Sequence, residues 1–281
     1  MLLISQSSLA QLPNTDIWLL DLPWGDHSMR IIEGIQNITN REGYDNQPVF
    51  SPDGKYILYT SVRDKKSDIY KYNLASRKTS QFTNTPNTAE YSPTFLPGKK
   101  GISVVMVEAD DSTQRIWKFP MKGGSKAVPL LPGFDSIGYH CWFYGNSAAV
   151  FLLTEPNSLQ LIDQHYVRPR FIADSVGRCM KYDNGMLYYT KQTADKRNEI
   201  YWFDLPGWYA RSTGTVIESE DFIIYDQEVV YGKGSKLFTC DLYEGKTIRE
   251  LADLSANGVK NISRIAIAAD GYTIAVVGEK Q

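Results

Sequence analysis

Residues able to do chemistry recur at one phase of this chain. Tyr44, Asp45 and Asn46, then Glu90 and Tyr91, Tyr139 and His140, Arg178, Asp221, and Arg264 each stand just ahead of a short apolar run. If those six runs line one concavity, both signs of charge, an imidazole and three tyrosines meet at its entrance. Convergent polar groups in a concavity are the default ligand-site reading. The plainer alternative is that Glu90, Asp221, Arg178 and Arg264 pair with one another and simply cap a water-filled channel.

The elements that must position these residues are strands. Gln47 to Ser61 followed by Asp68 to Leu74 reads as three β-strands with their turns, and Ser80-Gln81-Phe82-Thr83 begins a fourth. Ser51-Pro52-Asp53-Gly54 is a turn with a mechanism: proline presets φ, aspartate suits the next position, and glycine accepts the left-handed conformation. Asp53 is therefore read as turn chemistry. Equivalent turns fall at Gly54, Gly98, Asn146, Gly185, Gln227 and Gly271, spaced by 44, 48, 39, 42 and 44 residues. A repeated four-stranded unit of roughly 40–45 residues implies a β-propeller.

The two ends of the chain are out of phase with one another. The first strands readable are a third strand (Asp16–Leu22) and a fourth (around Ile35–Thr39), while Arg264–Val277 supplies a first and a second. Joined, they make one composite blade, the simplest solution; a five-bladed ring with an appended hairpin is the alternative that wastes the phase match. The expected fold is all-β: a six-bladed propeller of four-stranded antiparallel blades, closed by terminal strands and occupying 12–281 as one domain. Closure removes exposed sheet edges. No window carries a helical apolar period; Asp253–Gly258 is at most a helical turn.

Composition narrows the function classes. Thirty basic against thirty-two acidic residues, with no basic stripe, argue against nucleic acid. Eighteen Tyr and six Trp suit strands and the cores between blades. Cys141, Cys179 and Cys240 share no metal spacing and read as buried apolar residues; Cys141 and Cys179 fall at equivalent places in adjacent blades, where a disulfide is the lesser option. His27, His140 and His165 form no ligand pair, so neither metal nor cofactor is expected. Residues 1–11 read either as the remnant of a secretory signal, placing the protein in the periplasm or outside the cell, or as a disordered tail that leaves the cytoplasm open. No apolar run spans a membrane.

The stretch Asn46–Ser61 with Asp68–Leu74 resembles the repeat of the TolB-like β-propellers, a WD-repeat-like class of bacterial envelope proteins. Tyr91-Ser92-Pro93-Thr94-Phe95-Leu96-Pro97-Gly98 keeps part of that motif; the other blades keep only its pattern. The resemblance implies a noncatalytic binding or scaffold role, with loops and a polar channel mouth offered to a protein or peptide. TolB's separate N-terminal α/β domain has no room before Asp16, so its own role is not carried over. Similar propellers precede the catalytic domain of prolyl-oligopeptidase-type peptidases, but no Gly-x-Ser-x-Gly elbow occurs in these 281 residues. The alternative is a hydrolase or lyase acting on a glycan or lactone at the mouth, with a small molecule as its ligand.

Overall fold

The computed structural model describes residues 12–22, 34–131, 133–144, 147–163 and 169–280. The 1–11 tail, His27, the turn at Asn146 and His165 lie outside the described residues. Each expected unit is a four-stranded antiparallel sheet, and six such sheets follow one another around a ring.

Blade 2 shows how the sequence builds one. Its strands are Asp45–Phe50, Tyr56–Arg63, Lys66–Asn73 and Lys78–Gln81. In the turn between the first two, Gly54 has φ 65° and donates its N–H to Ser51 O at 2.9 Å. The Ser51 hydroxyl donates to Asp53 Oδ1 at 2.7 Å and accepts the N–H groups of Lys55 and Tyr56, each at 3.1 Å. Asp53 is thus held by its own turn, and its carboxyl is drawn below the usual range, first by the Ser51 hydrogen bond.

Blade 1 is the composite. Val259–Ile267 and Thr273–Lys280 come from the end of the chain, Thr15–Asp21 and Gln36–Asn37 from its beginning. Thr15 to Asp21 pair in continuous register with Glu279 to Thr273, so the ring is fastened by seven residues of ladder. The remaining inner strands are Ala89–Phe95 in blade 3, Ile137–Tyr144 in blade 4, Val176–Asp183 in blade 5 and Phe222–Tyr225 in blade 6. Each inner strand lies beside the next, from Asp45–Phe50 around to Val259–Ile267 and back.

The core follows from the period of two. Successive strand residues face opposite sides of a sheet, and a blade has a neighbour on both sides. In Thr15–Asp21, Trp18 and Leu20 pack toward blade 6, while Ile17 and Leu19 pack toward blade 2. Val104 and Met106 face blade 2, whereas Val105 faces blade 4. The result is six separate apolar clusters, one in each gap between blades. That is why middle strands read as continuous apolar runs.

Helix is confined, among the described residues, to single turns at Pro97–Lys99 and Ser255–Asn257, the second inside the expected Asp253–Gly258 turn. No helix among them is long and apolar enough to cross a membrane. All three cysteines are free, so no bond joins Cys141 to Cys179 across their adjacent strands.

Candidate functional site

Every inner strand begins at the same end of the ring, and there the ladders are irregular. Register breaks fall between Asn46 and Val49, Tyr91 and Thr94, Ile137 and Tyr139, Val176 and Met180, and Lys260 and Arg264. Gln47 and Ser92 sit at positive φ within two of them. A bulge turns a strand about its axis and re-aims side chains. These bulges bring the expected residues together around the channel, but not as one set.

Six of them form a ring with one member per blade: Tyr44, Tyr91, Tyr139, Arg178, Asp221 and Arg264. Arg264, from blade 1, reaches across the channel to blade 4, where its Nη2 donates to the Tyr139 hydroxyl at 2.8 Å. Its Nη1 meets Asp221 Oδ2 at 3.4 Å, and Asp221 Oδ1 accepts the Ile265 N–H at 2.9 Å. The charges of Arg264 and Arg178, together with the hydroxyls of Tyr139 and Tyr91, bear on Tyr44. Burial nevertheless pushes the Tyr44 phenol up to about 12, so it stays neutral. Arg178 pairs at 2.9 Å with Glu220, which the sequence reading did not single out, and donates to Ser263 O at 3.3 Å.

Inward of this ring lies a cavity of about 240 Å³ to which all six blades contribute. Its wall includes Tyr139, His140, Arg178, Asp221 and Arg264 from the expected set, and it adds Cys141, Cys179 and Lys181. A second hollow of about 290 Å³ opens on the rim between Arg178, Glu218, Lys233 and Ser263.

Asp45 and Glu90 go elsewhere. Both are fully buried, in the seams between blades. Asp45 meets Arg41, Nε to Oδ2 at 2.9 Å and Nη2 to Oδ1 at 3.2 Å. The first contact is an ion pair without hydrogen-bond alignment. The Glu90 carboxyl accepts the hydroxyls of Thr83 at 3.1 Å, Thr88 at 2.8 Å and Thr85, and shares a hydrogen bond with Asp68. Asn46 is spent locally: its Oδ1 accepts the Gln47 N–H at 2.7 Å.

The two seams are versions of one device. Thr15 Oγ1 donates to Asp45 O at 3.0 Å, and Ser67 Oγ to Glu90 O at 2.8 Å. Thr39 Oγ1 accepts the Ile17 N–H, and Thr83 Oγ1 the Ile69 N–H. Asp16 accepts from Asn37 at 2.9 Å, and Asp68 from Gln81 at 3.1 Å. Sequence reasoning missed this. The signal was present in Asp16-Ile17 against Asp68-Ile69, and in Asn37-Ile38-Thr39 against Gln81-Phe82-Thr83.

His140 takes part in a third tie, also missed. Ser103 Oγ lies 2.7 Å from His140 Nε2 and accepts the Trp142 indole N–H at 2.8 Å. A serine beside an imidazole resembles a nucleophile with its base. Here the serine is fully buried, and His140 Nδ1 has no partner among the described residues to orient it. Burial also drives the imidazole down to about 3, so it is neutral at physiological pH. The trio joins blade 3 to blade 4. Ser103→Ala leaves the indole N–H and the imidazole unsatisfied, and should cost about 1–3 kcal/mol in urea unfolding. A loss below about 0.5 kcal/mol would remove the structural role given to it.

Chemically, the arrangement holds charge and hydrogen bonds but lacks an assembled nucleophile. Burial raises the Cys141 and Cys179 thiols to about 11 and 12, which keeps them protonated and unreactive. No three His, Cys, Asp or Glu side chains among the described residues are grouped to hold a metal ion. Glu90, His140 and Asp221 each answer to different partners.

Comparison with known proteins places this geometry. A TolB protein of Agrobacterium tumefaciens superposes with a TM-score of 0.70 at 14% identity, covering 95% of this chain and 98% of its own. TolB of Acinetobacter baumannii superposes with a TM-score of 0.61 at 13% identity, over 95% of this chain and 64% of its own. The fold is that of the TolB-like propellers. It is a widely used frame: oligogalacturonate lyase of Vibrio parahaemolyticus shares it at a TM-score of 0.57 and 10% identity, over 87% of this chain and 80% of that one. In sequence, 116 residues are 31% identical to dipeptidyl-peptidase 5 of Porphyromonas gingivalis, which is 40% of this chain but only 16% of that protein. No family model matches the chain.

Proposed function

We propose that this chain is a noncatalytic binding propeller of the bacterial envelope, periplasmic or secreted, that presents its channel mouth to a protein or peptide partner. The ring of one residue per blade is the observation that carries it: three tyrosines, two arginines and an aspartate face one opening with no nucleophile, base and orienting acid assembled among them. Tyrosine and arginine are the side chains that most often anchor protein interfaces, because each joins a large contact area to hydrogen bonding. Ten residues were expected at the mouth. We assign recognition to the six of the ring, with His140 on the cavity wall, and give Asp45, Asn46 and Glu90 positioning roles.

The test is a peptide array screened with the intact chain, followed by anisotropy titration of its best ligands. Tyr91→Ala with Arg178→Ala should weaken those ligands at least tenfold while leaving the thermal midpoint within a few degrees. Ligands that bind the double variant as well as the wild type would remove the mouth from the reading. The second reading, a hydrolase or lyase on a glycan or lactone, draws on the shared fold of oligogalacturonate lyase. Turnover of oligogalacturonate or a fluorogenic peptide, abolished by Asp221→Asn or Arg264→Gln, would put it first.

A further inference from the structure

The cavity behind the ring is electrostatically unbalanced. Three cations stand on its wall, Arg178, Lys181 and Arg264, against the single carboxylate of Asp221. Two of the three are compensated. Arg264 has Asp221 and the Tyr139 hydroxyl, and Arg178 has Glu220 from the rim. Lys181 has neither an ion pair nor a hydrogen bond among the described residues, although its stem rises from a strand at the centre of the molecule. Its neighbours on the wall are Cys141, Cys179 and Met180, which offer an ammonium no acceptor of consequence.

An excess of cations in a concavity is costly unless something answers their charge. Asp221 answers part of it, but one carboxylate stands against three cations on this wall, in a chain whose overall charge is −2. Field lines concentrate in such a cleft and draw anions into it. At about 240 Å³ the space far exceeds the about 10–15 Å³ that a single water needs. It suits a group of a few heavy atoms rather than a chain.

We propose that the channel cavity is a receptor for one oxyanion, seated on the Lys181 ammonium and flanked by Arg178 and Arg264. The ligand chemistry is that of a carboxylate or a phosphate group. The inference rests on the reading of the mouth as a binding site and deepens it: the partner's anionic end enters the channel while its remainder lies against the ring.

Sodium phosphate and sodium acetate are titrated separately into the intact chain by calorimetry, with chloride holding ionic strength constant. At least one of them should bind saturably. Lys181→Met, which keeps the stem and removes the charge, should weaken that anion at least tenfold, whereas Lys181→Arg should stay within threefold. Saturation by phosphate alone or by acetate alone names the source. Absence of saturation by both anions, or equal binding to Lys181→Met, overturns the site. Should Lys181→Met not fold, wild-type crystals soaked in selenate decide the matter. Anomalous density beside Lys181 supports the assignment, and density only at surface lysines means an adventitious ion only. Peptides that bind wild type and Lys181→Met alike overturn the oxyanion seat but leave the mouth standing. Anions that bind when no peptide does have the opposite meaning.

Discussion

Arg41→Met is expected to lower the stability of the propeller by about 3–5 kcal/mol, the cost of stripping a buried charge of its partner. Arg41 is the one cation among the described residues paired with the Asp45 carboxylate, which is 0% exposed, with Nε 2.9 Å from Asp45 Oδ2. The same guanidinium donates to Ser61 Oγ at 3.0 Å and to Val62 O at 2.6 Å, so it also pins the second strand of blade 2. Burial already pushes the Asp45 carboxyl up, and the Ser61 hydroxyl and Arg41 hold it back. Without Arg41, the Ser61 hydroxyl and the weaker influence of the Arg63 charge remain. The Arg41→Met protein should therefore regain part of its loss as pH falls and Asp45 takes up a proton. The double variant Arg41→Met with Asp45→Asn should recover more than half of the loss at pH 7, because neighbouring partners are not additive. Urea unfolding decides it: a single-variant loss below about 1 kcal/mol, or no recovery in the double, would show that the pair does not fasten blade 1 to blade 2.

Glu90 supplies the second large effect, and its sign is opposite to that of an ordinary paired carboxylate. Burial, opposed by the Thr85 and Thr88 hydroxyls and reinforced by Asp68, pushes its carboxyl from 4.5 up to about 7. The folded protein then binds this proton more tightly than the unfolded chain does. Stability from Glu90 is complete below about pH 4.5 and is lost as pH rises through 7, by up to about 3 kcal/mol. Glu90→Gln is neutral at every pH, can accept from the threonines and can donate to Asp68. It should match the wild type near pH 4 and exceed it near pH 8. Since several exposed aspartates titrate in the other direction, the quantity to measure is the difference between variant and wild-type unfolding curves. A difference that stays flat from pH 4 to 8 would show that Glu90 is not protonated in the fold.

The comparison of Asp45 with Glu90 also explains what was readable beforehand. Both were singled out as standing just ahead of an inner strand; the structure makes Asp45 the first residue of one and Glu90 the second residue of the next. Position along a strand follows from a period of two and a turn signal, which are local. The side of the strand to which a carboxyl turns depends on a bulge, and on which hydroxyls or guanidinium groups the preceding blade offers. Arg41 lies four residues from Asp45 in sequence, yet its pairing depends on Thr15 and Ser61, from two different blades. Ser103, His140 and Trp142 are similarly a contact across 37 and 39 residues that no local pattern encodes.

By itself, then, the sequence determined the architecture: six repeats, their turns at Gly54 through Gly271, and a phase mismatch at the ends that a composite blade resolves most simply. Those features are written in local spacing, where each turn residue and each apolar run acts on its own few neighbours. Tertiary structure alone decided which polar residues share an environment. It spent Asp45 and Glu90 between blades, left Tyr44, Tyr91, Tyr139, Arg178, Asp221 and Arg264 around one mouth, and set Lys181 in the channel with no ion pair among the described residues. The physical reason is that a ring brings residues from opposite blades, such as Arg264 and Tyr139, within 2.8 Å across 125 residues of chain. No spacing rule carries that distance.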